Sequence, residues 1–190
     1  MAQPSSGGSF GLGTIFNLSP NRGLPGWHES VLHAFQGPPD DGSNPFAGLV
    51  FDTAGNLYGT TGYDGSAGQG TVFRPSPNPD GTWTETILYA FQGCSDGDSP
   101  GDRVILDASG NVYGITEGGG SYGLGVVFEL SPTGGGQWTE AVLHAFTGGT
   151  DGEFPRGKVV VDSAGNVYGV TSFGGSYGFD PGGVAFEISR

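Results

Sequence analysis

Asp41, Asp96 and Asp151 each open a D-G-x-x-P segment, and Asp98 and Glu153 follow two residues behind the last two of them. A second set of loops carries Tyr63, Asp64, Glu117, Tyr122, Phe173, Tyr177 and Asp180. Acids beside aromatic rings suit three chemistries. Rings can cover the apolar faces of sugars while carboxylates accept from their hydroxyls. Several oxygen ligands together can hold calcium, for which Asp96 and Asp98 in D-G-D-S are the candidates. Two carboxyls at a fixed separation can hydrolyse a glycosidic bond, and that pair would be drawn from Glu117, Asp96, Asp98, Asp151 and Glu153. Asp and Gly are also the ordinary residues of turns, which is the competing reading of the same segments. D-G-D-S lacks the length and terminal Glu of an EF-hand loop.

Ligand contacts are therefore expected from Asp41, Asp96, Asp151, Tyr63, Tyr122 and Tyr177. Arg103 and Lys158 join them, because they stand where the first unit has Gly48 and could meet an anionic group or pair with the loop acids. No G-x-S-x-G is present, so serine hydrolysis has no support. The histidines, His28, His33 and His144, have no H-x-H or H-x-x-x-H spacing, which argues against zinc. His33, Tyr89 and His144 share one column of the repeat, and a column that accepts His and Tyr alike reads as packing. Glu29, Glu85 and Glu140 each follow a Trp by two residues and are expected in solvent. Cys94 is the single cysteine, so the chain holds no internal disulfide. Calcium is the one cofactor these residues suggest.

The elements that must position those loops recur. Gly13-Thr14-Ile15-Phe16 returns at 70–73, 125–128 and 183–186, Trp27 at Trp83 and Trp138, and Asp52 at Asp107 and Asp162, the last set at intervals of 55 residues. Each unit contains four strand candidates separated by Gly and Pro. In the second unit these are Leu49–Asp52, Asn56–Thr61, Thr71–Arg74 and Trp83–Phe91. No stretch keeps a 3.6-residue apolar rhythm. Four short strands in a unit of about 55 residues predict an all-β fold of β-propeller blades. A parallel β-helix is the competing architecture. The first strand, nearly all apolar, is expected to be innermost and buried on both faces, and the Trp strand outermost. Asp52, Asp107 and Asp162 open D-x-x-G-N turns, where an Asp accepts from backbone amides two residues on.

The chain reads as one repeat domain: a disordered lead at 1–10, a half blade at 11–46, blades at 47–91 and 102–146, and a partial blade at 156–190. In such blades the loops of the two acidic groups emerge on one face, and loops over a rigid scaffold are where function lives.

Composition narrows the partners. Forty glycines and 13 prolines recur as turns, and 19 acidic against six basic residues give a net charge of −13. Such a surface repels phosphate backbones and anionic lipid heads, so neither nucleic acid nor membrane insertion is expected. Neutral sugars, cations or a protein are the better partners. Met1 leads into A-Q-P-S-S-G-G, with neither a basic start nor an apolar run, so an export signal is either lacking or has been removed.

From Gly11 to Ser189 the units read G-T/V-I/V-F-x-L-S-P, then W-T-E-x-I/V-L-H/Y-A-F-x-G, D-G-x-x-P and D-x-x-G-N-L/V-Y-G-I/T/V-T. This pattern resembles the GloVer tandem repeat of bacterial secreted, surface-anchored proteins. The resemblance implies an extracellular or cell-surface setting and a propeller-like fold, and supplies no activity. Such proteins usually carry more repeats and a C-terminal anchor; this chain, ending at Ile188-Ser189-Arg190, reads as a short or truncated member.

The sequence thus points to a secreted binding or scaffold module for a glycan or a protein. An extracellular polysaccharide hydrolase or lyase and a self-associating structural repeat are the alternatives. The third strand type occurs at both ends, as Thr14–Asn17 and Val184–Glu187, and an unpaired copy invites pairing with another chain. A homo-oligomer, a dimer, is expected. Light scattering checks this: a chain that is monomeric at high concentration, and no less stable when cut before Gly183, counts against strand exchange.

Overall fold

The computed structural model describes residues 7–23, 25–176 and 182–190. Most of the expected lead, and Tyr177 and Asp180 of the candidate loops, lie outside them. The chain is all-β, as read from the sequence. It opens with a two-stranded antiparallel sheet, β1 (Thr14–Pro20) and β2 (Trp27–Ala34). The next unit runs β3 (Gly42–Ser43), β4 (Val50–Phe51), β5 (Leu57–Thr61), β6 (Tyr63–Asp64), β7 (Thr71–Phe73), β8 (Ser76–Pro77), β9 (Trp83–Thr84) and β10 (Ile87–Ala90). Its main sheet has the order β10-β7-β5-β4. The third unit is a four-stranded sheet of β11 (Ile105–Leu106), β12 (Val112–Thr116), β13 (Val126–Gly134) and β14 (Gln137–Ala145), in that order. A 3-10 turn, Gly149–Asp151, leads to β15 (Glu153–Val161), β16 (Val167–Phe173) and β17 (Ala185–Ile188).

Neighbouring sheets bury one another's faces. Ile15 and Phe35 meet Leu49, Leu57 and Phe73 in the first core. Tyr58, Val72 and Phe91 meet Val112, Phe128 and Leu130 in the second. Tyr113, Val127 and Phe146 meet Val159 and Val167 in the third. One edge-to-face ring pair marks every seam: Phe35–Phe73, Phe91–Phe128 and Phe146–Phe186, each with centroids 5.1 Å apart. The second ring of each pair lies over a glycine of the Y-G motif, Gly59, Gly114 or Gly169, where a Cβ would collide with it. Trp83 and Trp138 pack against the first and second cores. Among the described residues no core joins the fourth sheet to the first.

Two expectations need correction. The first strand of the second and third units does sit at the sheet edge opposite the Trp strand, and β15 is an edge strand too, but the first strand is not buried on both faces: Phe51 is 54% and Val160 55% exposed. The longest strands that are buried throughout are β5 and β12, all five residues of each. They lie inside their sheets with a neighbouring sheet on either side, whereas Phe51 ends the short edge strand β4 and Val160 lies on β15, the edge strand of the fourth sheet. The outer strand of the second unit is also not continuous. It breaks between β9 and β10, and the register slips between Ile87 and Tyr89.

Phe128 is fully buried in the second core and pairs with Phe91. Phe128→Ala should cost about 3–5 kcal/mol, read as a large fall in melting temperature; an unchanged melt would contradict this seam.

Candidate functional site

The repeated aspartates staple turns. Asp52 accepts from the backbone N–H groups of Ala54 and Asn56, both at 2.9 Å, from Asn56 Nδ2 at 2.7 Å and from the Tyr58 hydroxyl at 3.2 Å. Asp107 and Asp162 repeat the set with Ser109, Asn111 and Tyr113, and with Ala164, Asn166 and Tyr168. Burial alone would raise the Asp52 and Asp107 carboxyls, but these hydrogen bonds outweigh it and hold both below the ordinary range.

The D-G-x-x-P aspartates clamp their own loops. Asp41 accepts from the Gln36 N–H at 2.8 Å and the Gly42 N–H at 2.7 Å, with His33 Nε2 at 3.0 Å. Asp96 accepts from the Gln92 N–H at 2.8 Å and the Tyr89 hydroxyl at 2.9 Å. Asp151 accepts from the Thr147 N–H at 2.8 Å, with His144 Nε2 at 2.9 Å. The column shared by His33, Tyr89 and His144 thus holds the donors that meet this carboxylate.

Three residues further on, Asn44, Ser99 and Phe154 all adopt left-handed backbone, with φ of 55°, 54° and 51°. This conformation is uncommon without glycine, and here it serves one purpose. Each residue's N–H reaches a carbonyl of the preceding unit: Leu12 at 2.9 Å, Gln69 at 3.0 Å and Leu124 at 2.9 Å. Their carbonyls turn the other way, with Asn44 accepting from the Gly62 N–H and Ser99 from the Glu117 N–H. The two sets of acidic loops therefore meet at one rim, where β3 pairs with β6.

Clamp, stitch and stapled turn recur with the period of the sequence. Residues 3–190 match the family model of the Gloeobacter/Verrucomicrobia repeat. The chain belongs to that family. No curated protein matches it.

Within a Gloeobacter/Verrucomicrobia repeat, what recurs builds the unit, and what differs between units is free to do something else. Tyr63 is 49% and Tyr122 62% exposed at the rim, Phe173 of the same candidate loops is 44% exposed, and Phe46, which the sequence does not single out, is 55% exposed. Phe46 and Tyr63 form an edge-to-face pair with centroids 6.4 Å apart, and Phe154 and Phe173 another at 6.2 Å. Glu117 accepts from Arg156 Nη2 at 2.9 Å. Asp102 accepts from the Gly157 N–H at 2.8 Å. Asp98 bridges to Gly118 through its backbone, and Glu153 opens β15 opposite Phe173. Arg103 and Lys158 are exposed and make no ion pair among the described residues.

The seams hold what the sequence reading missed. Glu85 and Glu140, expected in solvent, are half-buried, and one carboxylate oxygen of each is shielded without a hydrogen-bond partner. Glu85 comes from the second unit to face His33 and Asp41 of the first, and Glu140 from the third to face Asp96 of the second. Burial, then the Asp41 charge, push Glu85 up to about 7 against the pull of His33. Burial, then the Asp96 charge, push Glu140 to about 7. Burial and the bond to Asp96 also raise the Tyr89 hydroxyl. Glu29, which has no preceding unit among the described residues to cover it, is exposed as expected, so the difference lies in the neighbouring unit and not in the column.

A raised folded-state pKa means the seam favours protonated Glu140. That contribution is complete below the ordinary glutamate value of 4.5 and is lost as pH rises through about 7. The melting temperature should therefore fall between pH 5 and pH 8, and Glu140→Gln, which keeps a neutral side chain there, should flatten part of that slope. An identical slope in the variant would refute the placement of Glu140.

Proposed function

We propose that the chain is a non-catalytic binding module, working outside the cell, that holds an extended neutral glycan across its loop rim. The observation that carries this reading is the set of exposed rings on backbone that is itself tied down. Phe46 and Tyr63 stand at 55% and 49% exposure on loops held by the Asn44–Leu12 and Gly62–Asn44 hydrogen bonds. The Phe46 ring also packs against Gly62, where a Cβ would come within 3.0 Å. Rigid platforms bind with little ordering cost. An aromatic ring offers a sugar its apolar face, while the rim acids offer acceptors to hydroxyls. A net charge of −13 favours neutral chains over anionic ones. The clamping of Asp41, Asp96 and Asp151 into their loops gives them a positioning part: they hold the turn from which the rings project.

A glycan array followed by titration calorimetry on the full chain tests the reading. Binding to a neutral polysaccharide is expected, weakened roughly tenfold (about 1.4 kcal/mol) by Phe46→Ala or Tyr63→Ala. Both variants should melt near the parent, since surface changes of this kind usually stay within about 0.5 kcal/mol. Absence of binding to any glycan, or binding unchanged in the double variant, would overturn it.

A further inference from the structure

Away from the ring platform, at the seam between the first and second units, we propose a binding site for a divalent transition cation of the zinc type, ligated by His33 Nε2, Asp41 and Glu85. Among the described residues this is the one group of three or more His, Cys, Asp or Glu whose ligand atoms all lie within 4.8 Å of one another. The three come from β2, the clamped loop and the break between β9 and β10, so the packed seam brings together residues far apart in sequence.

Two further observations favour an ion at this group. One Glu85 carboxylate oxygen is shielded from solvent and lacks any hydrogen-bond partner, an arrangement that normally calls for an unseen donor or ion. The ligands are also held in advance. Asp41 takes backbone N–H bonds from Gln36 and Gly42, and the His33 ring sits edge-on to Phe35 with centroids 4.9 Å apart. Outer contacts of this kind orient metal ligands.

The donor set selects the ion. One imidazole nitrogen and two carboxylates suit zinc, with bonds of about 2.0–2.2 Å, whereas calcium prefers six to eight oxygens. Binding moves the imidazole proton to Nδ1 and replaces the His33–Asp41 hydrogen bond by two metal bonds. A cavity of about 490 Å³, lined by His33, Asp41, Glu85, Gln36 and Asp40 among others, opens beside the group. It leaves the fourth position to water or to an exogenous ligand.

The other seams supply internal comparisons. At the second seam Tyr89 replaces the imidazole beside Asp96, and at the third His144 and Asp151 pair without a third ligand among the described residues. One site per chain is therefore expected.

Titration calorimetry with zinc chloride on the full chain, with calcium chloride in parallel, tests this. Zinc should bind once per chain and raise the melting temperature, reversibly with EDTA, while calcium should not. Glu85→Gln and His33→Gln should each lower the affinity at least tenfold; circular dichroism and the metal-free melt show that each variant is folded. Tyr89→His should raise the stoichiometry to two. Zinc binding that is unchanged in folded Glu85→Gln, calcium binding as tight as zinc, or a stoichiometry still at one in folded Tyr89→His would overturn the assignment.

Discussion

Each sheet of this chain is too small to bury its own faces, so every unit must fasten itself to the next, and the fastening is one bent loop. Asp41, Asp96 and Asp151 pull their loops closed by accepting from backbone N–H groups behind them. The closed loop forces the residue three positions on into left-handed backbone. That turn aims its N–H at the preceding unit. Without the carboxylate the loop loses its clamp, and the left-handed residue would carry its strain uncompensated. The apolar cores, with their three matching ring pairs, hold the same sheets together from within.

The same fastening explains the placement of acids in the interior. A Trp-strand glutamate sits on a face that would be solvent in an isolated sheet. Stacking brings the clamp of the preceding unit over it, so Glu85 meets Asp41 and Glu140 meets Asp96. Two carboxyls brought together away from water cannot both ionise cheaply. The seam must then offer a proton or a cation, and each seam has a different means of doing so. At the first a histidine adjoins the pair, and at the second a tyrosine hydroxyl donates to the aspartate.

How much of this was legible in the sequence follows from the length scale of each feature. The stapled turns at Asp52, Asp107 and Asp162 are local, and their residue spacing predicts their hydrogen bonds outright. The strands and the core phenylalanines, Phe73, Phe91, Phe128 and Phe146, are readable from the period and from β-rich runs, and all four are fully buried. The Glu85 and Glu140 environments are not readable in that way. Alternation along a strand tells which residues share a face, but not whether another sheet covers that face. The first strand departs from its expected burial for a related reason: apolar composition favours cover, but sheet order decides which strand receives it, and β5 and β12 lie inside where β4 and β11 do not.

A repeat that is structural in every copy can acquire chemistry only where one copy departs from the others. The rim shows such departures in side chains that share a backbone position. Asn44, Ser99 and Phe154 make the same stitch to the preceding unit with three unrelated side chains, so the stitch constrains the backbone and leaves the side chain free. The seam column shows a narrower freedom. His33, Tyr89 and His144 must all present a donor to the clamp, and within that limit an imidazole can also serve as a metal ligand through a nitrogen that has given up its proton, whereas burial and the bond to Asp96 keep the Tyr89 hydroxyl protonated. A choice between two residues that are interchangeable for the fold is therefore not interchangeable for chemistry, and it is at such positions that a scaffold of identical units can become a protein with distinct sites.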